Sequence, residues 1–294
     1  MTNEGALAAF LRSRREQVKP EQVGLTSSGR RRTPGLRREE LAMLAGLSME
    51  YLERLEQGRD TNPSVAVLGA IADALRLSED DKRHLASLAM KRHNSALCPA
   101  PGSLSSEPRP TLRALLDHLD PTPAYLLGPI CNILAWNAAF EAVGGPLGAF
   151  DECPPNLLRN HFLRSAARRS FSDDDWESTA DELVGWLRSS QPSWGDDDEF
   201  RALVDDLSTV PEFARRWAAH SVAYRQPAVK RLFHPDAGVL NIVLEVLLVG
   251  DADRWLQVWL PYDEETAAAI NALLPPRTLQ HRPVAVAPRV GGTL

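Results

Sequence analysis

Apolar positions between residues 3 and 92 recur at the three- and four-residue spacing of helices. Leu7, Phe10 and Leu11 open a stripe that runs to Val18, and Lys19-Pro20 ends it. A loop with Gly24, Gly29 and Pro34 follows. Leu41, Leu44 and Ala45 return to helical spacing, as do Leu52 and Leu55. Ser64 stands as an N-cap ahead of Leu68, Ile71, Ala72 and Leu75. Ser78 with Asp81 forms a capping-box pattern ahead of Leu85, Leu88 and Ala89. Five short helices predict an all-α domain over residues 1–92.

The periodicity stops between residues 93 and 109, where Ser, Pro and Gly dominate, and the stretch is expected to be a linker. A second domain is expected over 110–274. Leu112 to Leu119 predict a helix, and residues 124–134 predict strands around a Gly128-Pro129 turn. Helical patterns run through 136–143, 155–168, 173–190, 197–206 and 211–220. Strands return at Lys230–His234, Val239–Val249 and Trp255–Leu260, separated by turn residues, which predicts an antiparallel meander. The last twenty residues, 275–294, read as a mobile tail.

Composition changes this picture in one respect. The 294 residues carry a formal charge of −6, but residues 1–95 contribute +3 and the remainder −9. Nine Lys and Arg against two Glu fall within 12–38, a basic patch suited to phosphate contact by one module. Three cysteines without a CxxC pair argue against a disulfide scaffold or zinc finger and fit a reducing cytoplasm. The N-terminus lacks the pattern of a signal peptide, and the most apolar run, Val239–Val249, is too short to span a bilayer. The chain is expected to be cytoplasmic, without membrane insertion.

The most specific signal lies at Arg38–Gln57. Two crossing helices need a small residue at the crossing, which Ala42 supplies, and a turn residue tolerant of positive φ, which Gly46 supplies. Leu41, Ala45, Leu47, Leu52 and Leu55 wedge the helices together, and Ser48 caps the second. Met49, Glu50, Glu53, Arg54 and Gln57 then project outwards, the face a recognition helix lays in the major groove. A helix-turn-helix that serves only as protein scaffolding is the alternative. Arg30, Arg31 and Arg32 form a loop able to line a phosphate strand or enter a minor groove, or else a solvated turn.

LRREELAMLAGLSMEYLERLEQGRDTNPSVAVLGAIADAL resembles the XRE/Cro-type helix-turn-helix family. The resemblance implies that Ser48, Met49, Glu50, Glu53 and Arg54 read bases and that Arg37, Arg38, Arg59 and Asn62 contact phosphates. Acidic Glu50 and Glu53 either accept from base donors such as cytosine N4 or pair internally with Arg54. The implied partner is double-stranded DNA bound by a homodimer.

The second domain lacks GxSxG, HExxH, GxxxxGK[ST] and GxGxxG, and no Cys/His group has metal-ligand spacing, so neither an enzyme nor a cofactor or metal site is expected. The runs Asp173–Asp175 and Asp196–Glu199 suit helix first turns better than calcium. Aromatic and polar residues on apolar elements are the remaining candidates for a ligand: Trp136, Asn137, Phe140, Arg159, Phe162, Trp176, Trp217, His220 and His234. The alternative for each is ordinary core packing.

The segments PAYLLGPICNILAWNAAFEAV, PNLLRNHF, FARRWAAHSV and KRLFHPDAGVL resemble the MmyB-like ligand-binding domain found behind XRE-type heads in actinobacterial regulators. The resemblance implies an α+β, PAS-like domain with a small antiparallel sheet flanked by helices. It also implies a cavity for a small, hydrophobic or fatty-acid-like ligand, with Arg159 or Arg188 pairing its carboxylate. The chain departs from the family pattern at Asn132, where an Asp is common, and over Gln257–Glu264. Two rivals remain: a second domain that only dimerises or docks a protein, and a cryptic enzyme with a DNA-binding head.

Overall fold

Ser48, Ser64 and Ser78 each cap a helix through the side-chain oxygen, accepting from Tyr51 N, Val67 N and Asp81 N at 3.1, 3.3 and 3.1 Å. A computed structural model of the protein describes residues 3–25, 35–59, 63–90, 104, 107–224, 227–249 and 254–274. Its contacts divide the chain into two units that do not follow the linear order: Met1–Pro101 with Asp181–Tyr224, and Gly102–Ala180 with Arg225–Leu294.

In the first unit the expected helices are α1 (Asn3–Gln17), α2 (Arg38–Leu44), α3 (Met49–Glu56), α4 (Val65–Ala74) and α5 (Glu79–Met90). Pro20–Val23, expected as loop, forms a 3-10 turn. Leu7, Phe10, Leu11, Leu36, Leu41, Leu52, Leu55, Ile71, Leu75, Leu85 and Leu88 make one buried core. Gly46 has φ +64° in the turn between α2 and α3, the conformation glycine adopts without strain. At Gly35 a Cβ would lie 2.2 Å from the Glu16 carbonyl oxygen, so only glycine lets this segment run against the end of α1. The same unit holds the end of α10 (Asp173–Trp194), with α11 (Asp198–Leu207) and α12 (Pro211–Ala218).

The second unit is built on a five-stranded antiparallel sheet of order β2-β1-β5-β4-β3. The strands are β1 (Ala124–Leu127), β2 (Ile133–Trp136), β3 (Ala228–His234), β4 (Gly238–Val249) and β5 (Arg254–Pro261). The expected meander is β3-β4-β5, and β1 pairs with the free edge of β5 to extend it. The helices of this unit are α6 (Pro110–His118), α7 (Ala138–Gly144), α8 (Leu157–Leu163), α9 (Ser165–Arg169), the start of α10, and α13 (Glu264–Leu273). No helix was expected at α13. Asp263 starts it by accepting from Thr266 N at 2.7 Å, and Thr266 Oγ1 accepts from Asn241 N on β4 at 3.0 Å.

Register divides the sheet into two faces. Ala124, Leu126, Ala135, Leu256 and Val258 turn to the face covered by Leu112 and Leu116 of α6. Trp136, Tyr125, Gln257 and Val246, paired strand to strand, turn to the other. The carboxylate runs stand at helix starts: Asp173, Asp174 and Asp175 in the first turn of α10, and Asp197 capping α11 by accepting from Glu199 N at 2.8 Å.

Candidate nucleic-acid interface and ligand site

Helix α3 turns Leu52, Leu55 and Glu56 inwards. Met49, 55% exposed, together with Glu50, Arg54 and Gln57 faces solvent from the opposite side. The Arg54 guanidinium lies 5.9 Å from the Tyr51 ring centroid, and Gln57 Nε2 donates to Glu53 Oε1 at 2.9 Å. Ser48 spends its oxygen on the cap. Arg37 is half-exposed at the start of α2, and Arg59 is exposed just beyond α3. Arg30, Arg31, Arg32 and Asn62 lie outside the described residues, as do most of the expected linker and the tail.

Arg38 Nε donates to Glu56 Oε2 at 2.7 Å, and the side chain stays half-exposed. The other oxygen of Glu56 accepts from Arg15 Nε at 2.6 Å. The carboxylate is fully buried, and Arg15 nearly so. Neither Arg15 nor Glu56 was singled out from the sequence. A charge one residue after Leu55 and four after Leu52, on the inward face of α3, was the available signal.

The inner face of the sheet is aromatic. Phe140 of α7 lies 4.1 Å from Tyr125, 5.2 Å from Trp259 and 5.9 Å from Phe150 between ring centroids, and Trp136 lies 4.5 Å from Phe150. Within this apolar surface the Tyr125 hydroxyl donates to Gln257 Oε1. Gln257 is fully buried, and its Nε2 has no hydrogen-bond partner among the described residues. A buried amide donor left unmet is costly and asks for an acceptor. Tyr125, Gln257 and Trp259 were missed in the sequence. The alternation Trp255-x-Gln257-x-Trp259 on one strand face could have found them.

A family model described as MmyB-like transcription regulator ligand binding domain matches residues 108–273, more than half of the chain. The chain belongs to this family of MmyB-like transcription regulators. A second model, described as helix-turn-helix domain, matches residues 6–85. No curated protein matches the chain. This MmyB-like regulator is therefore a DNA-binding transcription regulator with a ligand-sensing domain. Among the described residues no helix is long and apolar enough to cross a membrane.

Within the regulator, the ligand candidate Asn137 needs correction. Asn137 caps α7, its oxygen accepting from Phe140 N and Ala124 N at 2.9 and 3.0 Å. Its nitrogen donates to the carbonyls of Thr122 and Leu116, so the amide has no capacity left for a ligand. His234 Nδ1 accepts from Asp236 N and Ala237 N at 3.1 and 3.2 Å, which fixes the β3–β4 turn, while its buried Nε2 has no hydrogen-bond partner among the described residues; burial lowers its pKa. Phe162 of α8 meets His161 and Trp176 in a ring cluster, with Trp176 stacked 4.7 Å from His161 and Arg168 5.0 Å from its centroid. Arg159 is half-buried on the same helix. Arg188, Trp217 and His220 fall in the other unit, with the helix-turn-helix helices.

Proposed function

We propose that the regulator binds a palindromic operator as a homodimer in the cytoplasm and that a small apolar acid, a fatty acid in its simplest form, sets that binding. The domains of this reading are 1–92 for DNA and 110–274 for the ligand, joined by residues 93–109. Met49, Glu50, Glu53 and Arg54 are the base-reading side chains, and Arg37 and Arg59 the phosphate contacts. Two copies of α3 must enter successive major grooves, which requires two-fold pairing. The face of β3 and β4 opposite Gln257 carries exposed Val229, Phe233, Val239 and Leu247, an apolar strip that supports a second copy as its cover. Arg54→Ala is expected to cost about 1–3 kcal/mol on the operator and to relax base preference, read by binding to systematically varied sites. An unchanged profile removes Arg54 from the base contacts.

The buried, unmet Gln257 Nε2 among aromatic rings carries the ligand class. An apolar chain fits the rings of Trp136, Phe140, Phe150 and Trp259, and an acidic or carbonyl oxygen fits the amide. Regulation follows if the ligand prefers one DNA-binding arrangement over the other. Native mass spectrometry of the full chain, before and after denaturation, tests this directly. A dimer releasing an acid on denaturation supports the reading, and a clean monomer that stays monomeric on operator DNA overturns it. Gln257→Glu keeps an acceptor for Tyr125 but turns a carboxyl on the ligand's acid. Affinity is expected to fall at least about tenfold, roughly 1.4 kcal/mol.

A further inference from the structure

Arg188 of α10 is a buried charge with no carboxylate partner among the described residues. It is 4% exposed, and its guanidinium donates to Gln191 Oε1 at 2.9 Å and to the Trp217 carbonyl, both neutral. The guanidinium carbon lies 3.3 Å from the Trp217 ring centroid, and Nε has no partner among the described residues. Burial is the cause that moves this group, lowering its pKa to about 9. Buried charges in proteins are ordinarily paired, and this one is not.

Its titratable neighbours are two imidazoles held neutral and a second arginine. His84 of α5 is 2% exposed, and its Nδ1 has no partner among the described residues. Burial first, then Arg188, Arg14 and His220, pushes its pKa down to about 3. His220, at the end of α12, is pushed to about 4 by burial, Arg188, Arg14 and Arg12. Arg14 of α1 donates to the His220 carbonyl at 3.2 Å and to Asp81 at 2.6 Å, and its Nε is unmet. The carboxylate of Asp81 is thus engaged by Arg14.

Capping explains part of this arrangement. Arg188 and Arg14 meet the Trp217 and His220 carbonyls, and Ser13 and Gln17 both donate to the Ala219 carbonyl, where a helix C-terminus favours donors and cations. Capping accounts neither for three unmet buried nitrogens on α1, α5 and α10 nor for the uncompensated charge of Arg188.

We propose that Arg188, His84, His220 and Arg14 form a binding site for a small oxyanion, the carboxylate or phosphate group of a small molecule. Arg188 is its charge partner, and the buried, unmet nitrogens of Arg188, Arg14 and His84 are the polar groups it would satisfy. This site is separate from the sheet site around Gln257, and it includes helices of the DNA-binding head.

The test is thermal melting of the full-length protein with sodium phosphate or sodium octanoate, about 10 mM each, against chloride at matched ionic strength. One of the two anions is expected to raise Tm by about 3 °C or more, an effect lost in Arg188→Met. Stabilisation by phosphate alone assigns a phosphate source, and by octanoate alone a carboxylate. Octanoate that stabilises wild type and Arg188→Met equally binds elsewhere, which overturns this site and leaves the sheet site standing. Titration of the histidines of the wild-type protein by NMR decides the case even if Arg188→Met does not fold. The effective anion is expected to raise the His84 and His220 pKa values by about one unit or more. Unmoved titrations overturn the site.

Discussion

Glu56→Ala is expected to lower the stability of the helix-turn-helix unit by about 3–5 kcal/mol, the cost of removing one partner from a buried ion pair. The Glu56 carboxylate accepts from Arg15 Nε at 2.6 Å and from Arg38 Nε at 2.7 Å. Without it Arg38, half in water, can hydrate. Arg15 cannot, because its side chain is 7% exposed and keeps only the Leu36 carbonyl at 2.8 Å and the exposed Glu16 carboxylate, more distant at 3.6 Å. The loss therefore comes from a stranded buried cation more than from a missing attraction. Chemical denaturation at neutral pH measures it. The double variant Arg15→Met/Glu56→Met is expected to recover most of the loss, since no charge is then left buried. A single-variant loss under about 1 kcal/mol would mean that water reaches Arg15 freely. The pair ties the end of α3 to α1, so operator affinity is expected to fall along with stability.

Acidification is expected to destabilise the same unit through His84. In the unfolded chain an imidazole takes up its proton near pH 6.5. Folded, His84 is held neutral down to about 3 by burial and then by Arg188, Arg14 and His220. The stability of the neutral form is complete above about pH 6.5 and drains away as pH falls towards 3. By about pH 4.5 His84 alone accounts for a loss of roughly 3 kcal/mol. His220 moves in the same direction, its more exposed ring being better screened. Denaturant melts from about pH 7.5 to 4.5, compared with those of His84→Leu, check this. The variant is expected to show a visibly flatter profile, and parallel profiles would rule His84 out as the source.

Features carried by near neighbours were legible in the sequence. Ser48, Ser64 and Ser78 cap as expected, because a cap joins residues three apart. Gly46 takes the positive φ that its turn needs, and Leu52 and Leu55 bury the face opposite Met49 and Glu50. The strands of the β3-β4-β5 meander followed from apolar runs between turn residues, and the two matched families agree with the motifs that suggested them. Helix α13 escaped notice because its run of alanines gives a weak stripe and its anchor, Thr266, meets a strand backbone 25 positions away.

Tertiary structure alone decided which groups meet. Arg15 and Glu56 are 41 residues apart, and Tyr125 and Gln257 are 132 apart. Arg188, read in the sequence as a partner for a fatty acid beside Trp136, groups instead with His84 and Arg14 of the helix-turn-helix unit. Asn137 looked free as a letter beside a tryptophan, yet four backbone groups use its amide. Periodicity, caps and turns depend on bonds within a few residues, so the order of the letters determined the elements and the outward face of α3. Pairing, orphaned donors and shifted pKa values depend on which groups lose water together, and that is set only when distant segments close over one another.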